Sequence, residues 1–256
     1  MVRLYRVDHR PHGSGPTYVT EREGRWRLVE GDVFGTFTEG PEIASEGLTF
    51  LAPVTPSKIV CVGLNYKDHA LEMGKPLPEE PLIFLKPSTA VIGPGVAIQV
   101  PSWAGRVDHE AEVGLVIKKV ARNVKAAHAH EYVLGLTCLN DVTARELQRK
   151  DVQYSRAKGF DTFAPIGPCI AVGLDGKDLD VKGYVNGDLR QHSRTRELIF
   201  TIRECVEFIS AVMTLLPGDV IATGTPSGVG PIKAGDSVTI HVEGVGALTN
   251  PVVAAS

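Results

Sequence analysis

The sequence predicts a mainly β fold of the α+β class. Three observations carry that expectation. Apolar runs are short and bounded by Gly, Pro and Asn/Asp clusters, as strands are. Only residues 200–216 carry the long apolar spacing of an amphipathic helix, which Pro217-Gly218 stops. Between the alternating runs at 181–190 sits Asn186-Gly187, a strong signal for a tight hairpin turn.

Composition bounds the function classes. The 256-residue chain is 43% hydrophobic and 22% charged, ordinary for a globular protein and enough for one large or two small domains. A net charge of −3 gives no electrostatic case for nucleic acid. No apolar run approaches the ~20 residues of a membrane helix, and the N-terminus lacks the apolar centre of a signal peptide. Cys61, Cys138, Cys169 and Cys205 are widely spaced without a C-x-x-C pair. They read as small buried thiols in a reducing compartment, so a cytoplasmic protein is expected.

Taken in order, residues 1–52 read as a small N-terminal β subdomain. Strands are expected at 3–7, 17–20, 26–29 and 33–37, separated by turns such as Glu23-Gly24 and Glu30-Gly31-Asp32. The Pro-bearing connector 51–57 is the boundary candidate, and 58–256 is the main domain. Residues 58–63 form a short buried strand. A helical turn follows, with Asp68 as a candidate N-cap and Gly74 as a candidate C′ residue. His69 and Glu72 are i, i+3 on that turn. A Glu so placed orients a His as a general base, although an exposed ion pair has the same spacing. Three prolines in 75–81 make a loop.

The chemistry-bearing stretch is Asp108-His109-Glu110-Ala111-Glu112, followed by the apolar run 113–117. In a strand, residues i and i+2 share a face, so Glu110 and Glu112 project together. Asp141 closes the neighbouring apolar run 132–140. Three carboxylates at adjacent strand ends suit a hard divalent ion. E-x-E is equally common on solvated strands, so spacing alone leaves both readings open. Residues 143–150 are helical in composition and put Arg145 and Gln148 near whatever Asp141 binds. The Gly-rich stretch 223–230 is not a P-loop. It is either a plain β-connection or a loop whose Thr225 hydroxyl holds a small carboxylate.

In order, the motifs are Gly63-x-Asn65-Tyr66-x-x-His69-x-x-Glu72, Phe84-Leu85-Lys86-Pro87, Asp108-x-Glu110-x-Glu112, Asn140-Asp141-x-Thr143-Ala144-Arg145, Arg156-Ala157-Lys158-x-Phe160, Val185-Asn186-Gly187 and Gly218-Asp219-x-Ile221-x-Thr223-Gly224-Thr225-Pro226. Together they resemble the fumarylacetoacetate hydrolase family from residue 58 to near the C-terminus. The resemblance implies a mixed β-roll, a homodimer, and Mg²⁺ or Mn²⁺ (Ca²⁺ as a stand-in in a crystal) on Glu110, Glu112 and Asp141. It implies a lid helix bearing His69 and Glu72, a charged active-site Lys158, and Arg145, Gln148 and Thr225 near the ligand. Asp108 matches a family position, but not clearly a ligand. Fumarylacetoacetate hydrolase itself has a further metal-binding Asp before its catalytic His. The matching stretch here, 62–66, has none, which points to the smaller acylpyruvase-like branch.

The implied function is a divalent-metal-dependent enzyme acting on a 2-oxo acid through a metal-bound enolate. It would cleave a C–C bond by acylpyruvate hydrolysis or oxaloacetate-type decarboxylation. The runner-up is a 2-hydroxyhepta-2,4-diene-1,7-dioate isomerase, or a 5-carboxymethyl-2-oxo-hex-3-ene-1,7-dioate decarboxylase, of aromatic catabolism. A metal-dependent binding module without turnover is the alternative from another class. The presence of both His69 and Glu72 weighs against it.

Overall fold

The strand Ala111–Ile117 is buried at every residue and lies inside a twelve-stranded sheet. The computed structural model describes residues 1–8 and 15–255. Across that sheet the strands run Phe37–Ile43, Arg25–Gly31, Pro16–Arg22, Val2–Asp8, Ala164–Val172, Val133–Asn140, Ala111–Ile117, Val220–Ala222, Lys58–Gly63 and Leu82–Pro87. Two short strands, Thr49–Phe50 and Val91–Ile92, pair off this path. Most pairings are antiparallel, but Val220–Ala222 runs parallel to Lys58–Gly63, so the sheet is mixed. A five-stranded sheet contains Asp188–Arg194, Asp180–Val185, Ser237–Val242, Gly246–Ala254 and Ile98–Val100. A three-stranded sheet joins Thr143–Ala144, Val107–His109 and Gly230–Ile232. The predominance of strand agrees with the sequence expectation.

Period-2 alternation divides the core. Val113, Leu115 and Ile117 share one apolar cluster with Val181, Ile240 and Val242 of the five-stranded sheet. Val116 points to the opposite face, into a second cluster with Ile59, Cys61, Leu139 and Ile170. Glu110 and Glu112 fall in register with that second face.

Several elements depart from the sequence expectation. The fourth N-terminal strand lies at Phe37–Ile43, because residues 33–35 turn on the Asp32 carboxylate, which accepts the Phe34 N–H at 3.0 Å. The N-terminal strands join the large sheet, with Leu4 opposite Ile170. Thr143 and Ala144 pair with Asp108 and Val107, so that helix begins only at Arg145. The amphipathic helix is Ile202–Val212, entered through a Thr201/Glu204 capping box. It ends before Pro217 because Leu215 is drawn into a bridge with Ala121. The hairpin turns at Asn186 and Gly187, with φ of 54° and 86°, as its dipeptide demands. No helix among the described residues is long and apolar enough to cross a membrane.

Asp219 ties the connector to the sheet. Its carboxylate accepts from the Ser57 N–H at 3.0 Å, the Ser57 hydroxyl at 2.6 Å and the Leu216 N–H at 2.8 Å, and pairs with Lys58 Nζ at 2.5 Å. Burial by itself would raise the carboxyl, but the Lys58, Ser57 and Leu216 bonds outweigh it and hold it below the usual range. A depressed folded pKa stabilises at neutral pH, and that stabilisation is lost as pH falls through the folded value. Asp219→Asn is therefore expected to cost about 2 kcal/mol at pH 7, with the gap to wild type narrowing below about pH 4. Urea denaturation across pH checks this, and a pH-independent gap would count against it.

Candidate active site

The end of the Ala111–Ile117 strand carries the site. Ala111 pairs with Asn140 and Glu112 with Leu139, and the Asp141 N–H donates to Glu110 O at 2.9 Å. Asp141 thus faces Glu110 across the ladder. One ligand atom from each of Glu110, Glu112 and Asp141 lies within 4.8 Å of the other two, and all three residues are buried.

Two buried lysines and a half-buried arginine answer them. Lys158, from the short helix Ser155–Lys158, bridges Glu110 Oε2 at 2.9 Å and Asp141 Oδ2 at 2.6 Å. Lys86 is fully buried and donates to Asp141 Oδ1 at 2.6 Å and Val142 O at 3.0 Å. Arg145 opens the helix Arg145–Asp151 and donates to Glu110 Oε1, to Asp108 Oδ2 at 2.8 Å and to Gln148 Oε1 at 2.8 Å. Asp108 is held in turn by Arg106 Nε at 2.7 Å. Its work is to anchor Arg145, and it stands outside the group that suits a metal.

The charges do not cancel evenly. Burial would raise the Glu110 carboxyl, but Lys158 and Arg145 win and hold it well below the usual carboxylate range. Burial would likewise lower the Lys158 ammonium, but Asp141 and Glu110 push it up. Among the described residues no cation hydrogen-bonds Glu112, and the nearby Lys158 charge lowers its carboxyl too little to prevail. Burial, then the Asp141 and Glu110 charges, push its carboxyl well above the usual range. Its one hydrogen bond comes from the Gly224 N–H at 2.8 Å. Gly224 has φ +98°, and a Cβ there would meet Asn65 Cβ at 2.7 Å, so the close approach needs glycine. A buried carboxylate lacking a partner, aimed at two others, is the donor set a divalent cation would complete.

The opposite wall is the helix Lys67–Glu72. His69 Nδ1 pairs with Glu72 Oε2 at 3.0 Å, which leaves Nε2 for chemistry. Glu72 Oε1 also accepts the Gly228 N–H at 3.0 Å, so the glutamate ties this helix to the Gly-rich loop. Asp68 is not the N-cap. Tyr66 occupies that position without a side-chain cap, and Asp68 accepts the His69 N–H at 2.7 Å. A cavity of about 290 Å³ is lined by His69, Glu110, Glu112, Asp141, Arg145, Gln148, Lys158 and Thr225. Glu72 stands behind His69, off the lining. The Thr225 hydroxyl donates to Ala111 O at 2.9 Å and accepts from Gln191 at 2.8 Å. Its proton is therefore committed to the backbone, and a carboxylate would have to take a donor from elsewhere.

Two residues carry weight that sequence reasoning did not assign. Lys86 appeared only as part of a motif, although a lone lysine in the apolar run Leu82–Phe84–Leu85 is a legible oddity. Gln191 gave no signal. It reaches in from the five-stranded sheet, where Oε1 accepts the Ala111 N–H at 2.9 Å and pairs with His109 Nδ1 at 3.1 Å. Its Nε2 donates to Thr225 Oγ1 and Pro226 O, each at 2.8 Å. The Ala111 N–H can only donate, so the amide orientation is forced and all four of its hydrogen-bonding positions are used.

The model of the fumarylacetoacetate (FAA) hydrolase C-terminal domain matches residues 58–253. The chain belongs to the fumarylacetoacetate hydrolase family. A solved structure of 2-hydroxyhepta-2,4-diene-1,7-dioate isomerase from Mycobacterium marinum is 44% identical, with a TM-score of 0.91 covering 99% of each chain. The mitochondrial oxaloacetate tautomerase of Xenopus laevis is 41% identical over 82% of this chain and 70% of its own. Maleylpyruvate hydrolase from Sphingobium, solved with manganese(II) and pyruvate, is 30% identical, with a TM-score of 0.81 covering 99% of this chain and 100% of its own.

Two outcomes are expected. Glu112→Gln should hold or raise the melting temperature in EDTA, since it replaces a buried acid whose ionised form burial and its acidic neighbours disfavour, and should abolish the melting shift that Mn²⁺ gives wild type. A retained Mn²⁺ shift would contradict the donor set. Gln191→Leu should cost about 2–4 kcal/mol in urea denaturation, because it strands several buried polar groups.

Proposed function

We propose that the protein is a divalent-metal-dependent enzyme that cleaves the C–C bond beyond C3 of a 2-oxo acid at the Glu110, Glu112 and Asp141 site, the electron pair of the broken bond being left on the 2-oxo acid fragment as its enolate. The observation that carries the reading is the convergence of an under-neutralised carboxylate triad, Lys158 and the His69–Glu72 pair on one cavity. A Mg²⁺ or Mn²⁺ held there would act as a Lewis acid toward the carboxylate and keto oxygens of the substrate head.

The chain's own residues supply the rest. Lys158 sets a permanent positive charge beside the position where the oxyanion develops, over the Phe84 ring at 4.9 Å. Gln148 lines the cavity with its oxygen accepting from Arg145, which leaves its amide N–H groups as the donors it can offer a ligand. His69, oriented through Nδ1 by Glu72, takes a proton at Nε2. In hydrolysis that proton comes from the water attacking the distal carbonyl. In tautomerisation or isomerisation it comes from C3 of the substrate. Cleavage is preferred because a Glu-oriented His beside an open cavity is what water activation requires. Proton transfer alone is the second reading, favoured by the isomerase and tautomerase named among the relatives.

The test follows C3–H exchange into D₂O by NMR, together with pyruvate release, for acetylpyruvate and oxaloacetate. Exchange above the uncatalysed and metal-only background should vanish in EDTA and fall by about 10²–10⁴ in His69→Gln. Pyruvate release from acetylpyruvate separates cleavage from tautomerisation. No exchange and no release from either acid would overturn the proposal.

A further inference from the structure

We propose that the turn at Val152 is a strained joint that gates Lys158: closed, it sets Lys158 opposite Arg145 on Glu110, and open, it withdraws Lys158 from the cavity. The joint links the helices Arg145–Asp151 and Ser155–Lys158. The first brings Arg145 to Glu110 Oε1, and the second brings Lys158 to Glu110 Oε2. Two arms of one segment therefore grip the two oxygens of one carboxylate, and the short link between them has to close that grip. Arg145 is anchored further by Asp108 and by the strand pairing of Thr143 and Ala144 just before it. The four-residue second helix is the arm free to move.

The link closes in a conformation that valine avoids. Val152 has φ 59° and ψ −47°, outside the left-handed helical well. The Gln153 N–H reaches back to Asp151 O at 2.5 Å. Together these make the rare, strained form of γ-turn. A β-branched side chain is poorly suited to it. Val152 is also 82% exposed, so packing of its own side chain does little to offset the strain. Such a backbone persists where its surroundings over-determine it. Three contacts do so here. Arg156, itself exposed, spans the turn to both oxygens of Asp151, with Nε at 2.6 Å. The Tyr154 ring packs edge-on to Phe84, centroids 5.4 Å apart. Lys158 bridges Glu110 and Asp141. Strain within the turn thus works against a surface ion pair, one ring contact and the grip of Lys158. Tyr154 lines the cavity as well, so opening moves a wall residue together with the lysine.

Glycine takes this backbone without the Cβ strain. Val152→Gly should therefore raise the melting temperature by about 2–4 °C. Val120→Gly, at an exposed valine of ordinary φ, should lower it. Gating is read in two ways: NMR hydrogen exchange at the Gln153 and Lys158 amides, and acetylation of Lys158 by acetic anhydride followed by mass spectrometry. The exposed Lys177 serves as the reference amine. Both rates should fall about tenfold in Val152→Gly and rise about tenfold in Arg156→Ala. The double variant should return close to wild type. A Val152→Gly protein no more stable than Val120→Gly would show an unstrained turn and overturn the proposal. A stabilised Val152→Gly protein in which Lys158 is acetylated at the wild-type rate would overturn it too, because the strain would then have no hold on the lysine.

Discussion

Bringing Glu110, Glu112 and Asp141 within 4.8 Å of one another costs at least about 3 kcal/mol per ionised pair, even at an effective dielectric of ~20. The rest of the site exists to meet that cost. Lys158 and Lys86 bind Asp141 from two sides, and Arg145 reaches Glu110 while leaning on Asp108. Asp108 holds Arg106 and Arg145, Glu110 holds Lys158 and Arg145, and Asp141 holds Lys86 and Lys158, so among the described residues Glu112 is the member of this cluster with no cation hydrogen-bonded to it. Glu112 is the acid of this cluster whose ionised form its surroundings favour least. A protein built only for stability would have filled that position with an apolar side chain.

The cavity is assembled from segments far apart in the chain, and polar side chains join them. Asn65 donates to Phe200 O at 3.0 Å and Thr223 O at 2.7 Å, so the entry to the His69 helix and the Gly-rich loop share one buried amide. Glu72 joins the same two elements higher up through the Gly228 N–H. Gln191 brings the second sheet to the carboxylate strand. The Lys67–Glu72 helix buries only His69 and Ala70, while Leu71 is 82% exposed. This element is held by directional bonds more than by apolar area, the arrangement from which local opening is drawn.

Much of the fold and site was legible from one chain because the signals are local. Strand periodicity put Glu110 and Glu112 on one face. The i, i+3 spacing paired His69 with Glu72, and Asn186-Gly187 specified its own turn. Errors fell where tertiary contacts override local preference. Thr143 and Ala144 are helical in composition, yet a strand partner claims them. The shift of the fourth N-terminal strand follows from a turn hydrogen bond at Asp32 that hydrophobic pattern does not report.

By itself, then, the sequence determined the mainly β class, the carboxylates that share a strand end, the dyad, and the family resemblance that residues 58–253 bear out. Each depends on residues close in the chain or on ordered motifs. Only the tertiary structure decided which carboxylate is left without a cation, and that Lys86 and Gln191 belong to the site. Charge balance and amide saturation are sums over neighbours in space, and sequence spacing does not list those neighbours.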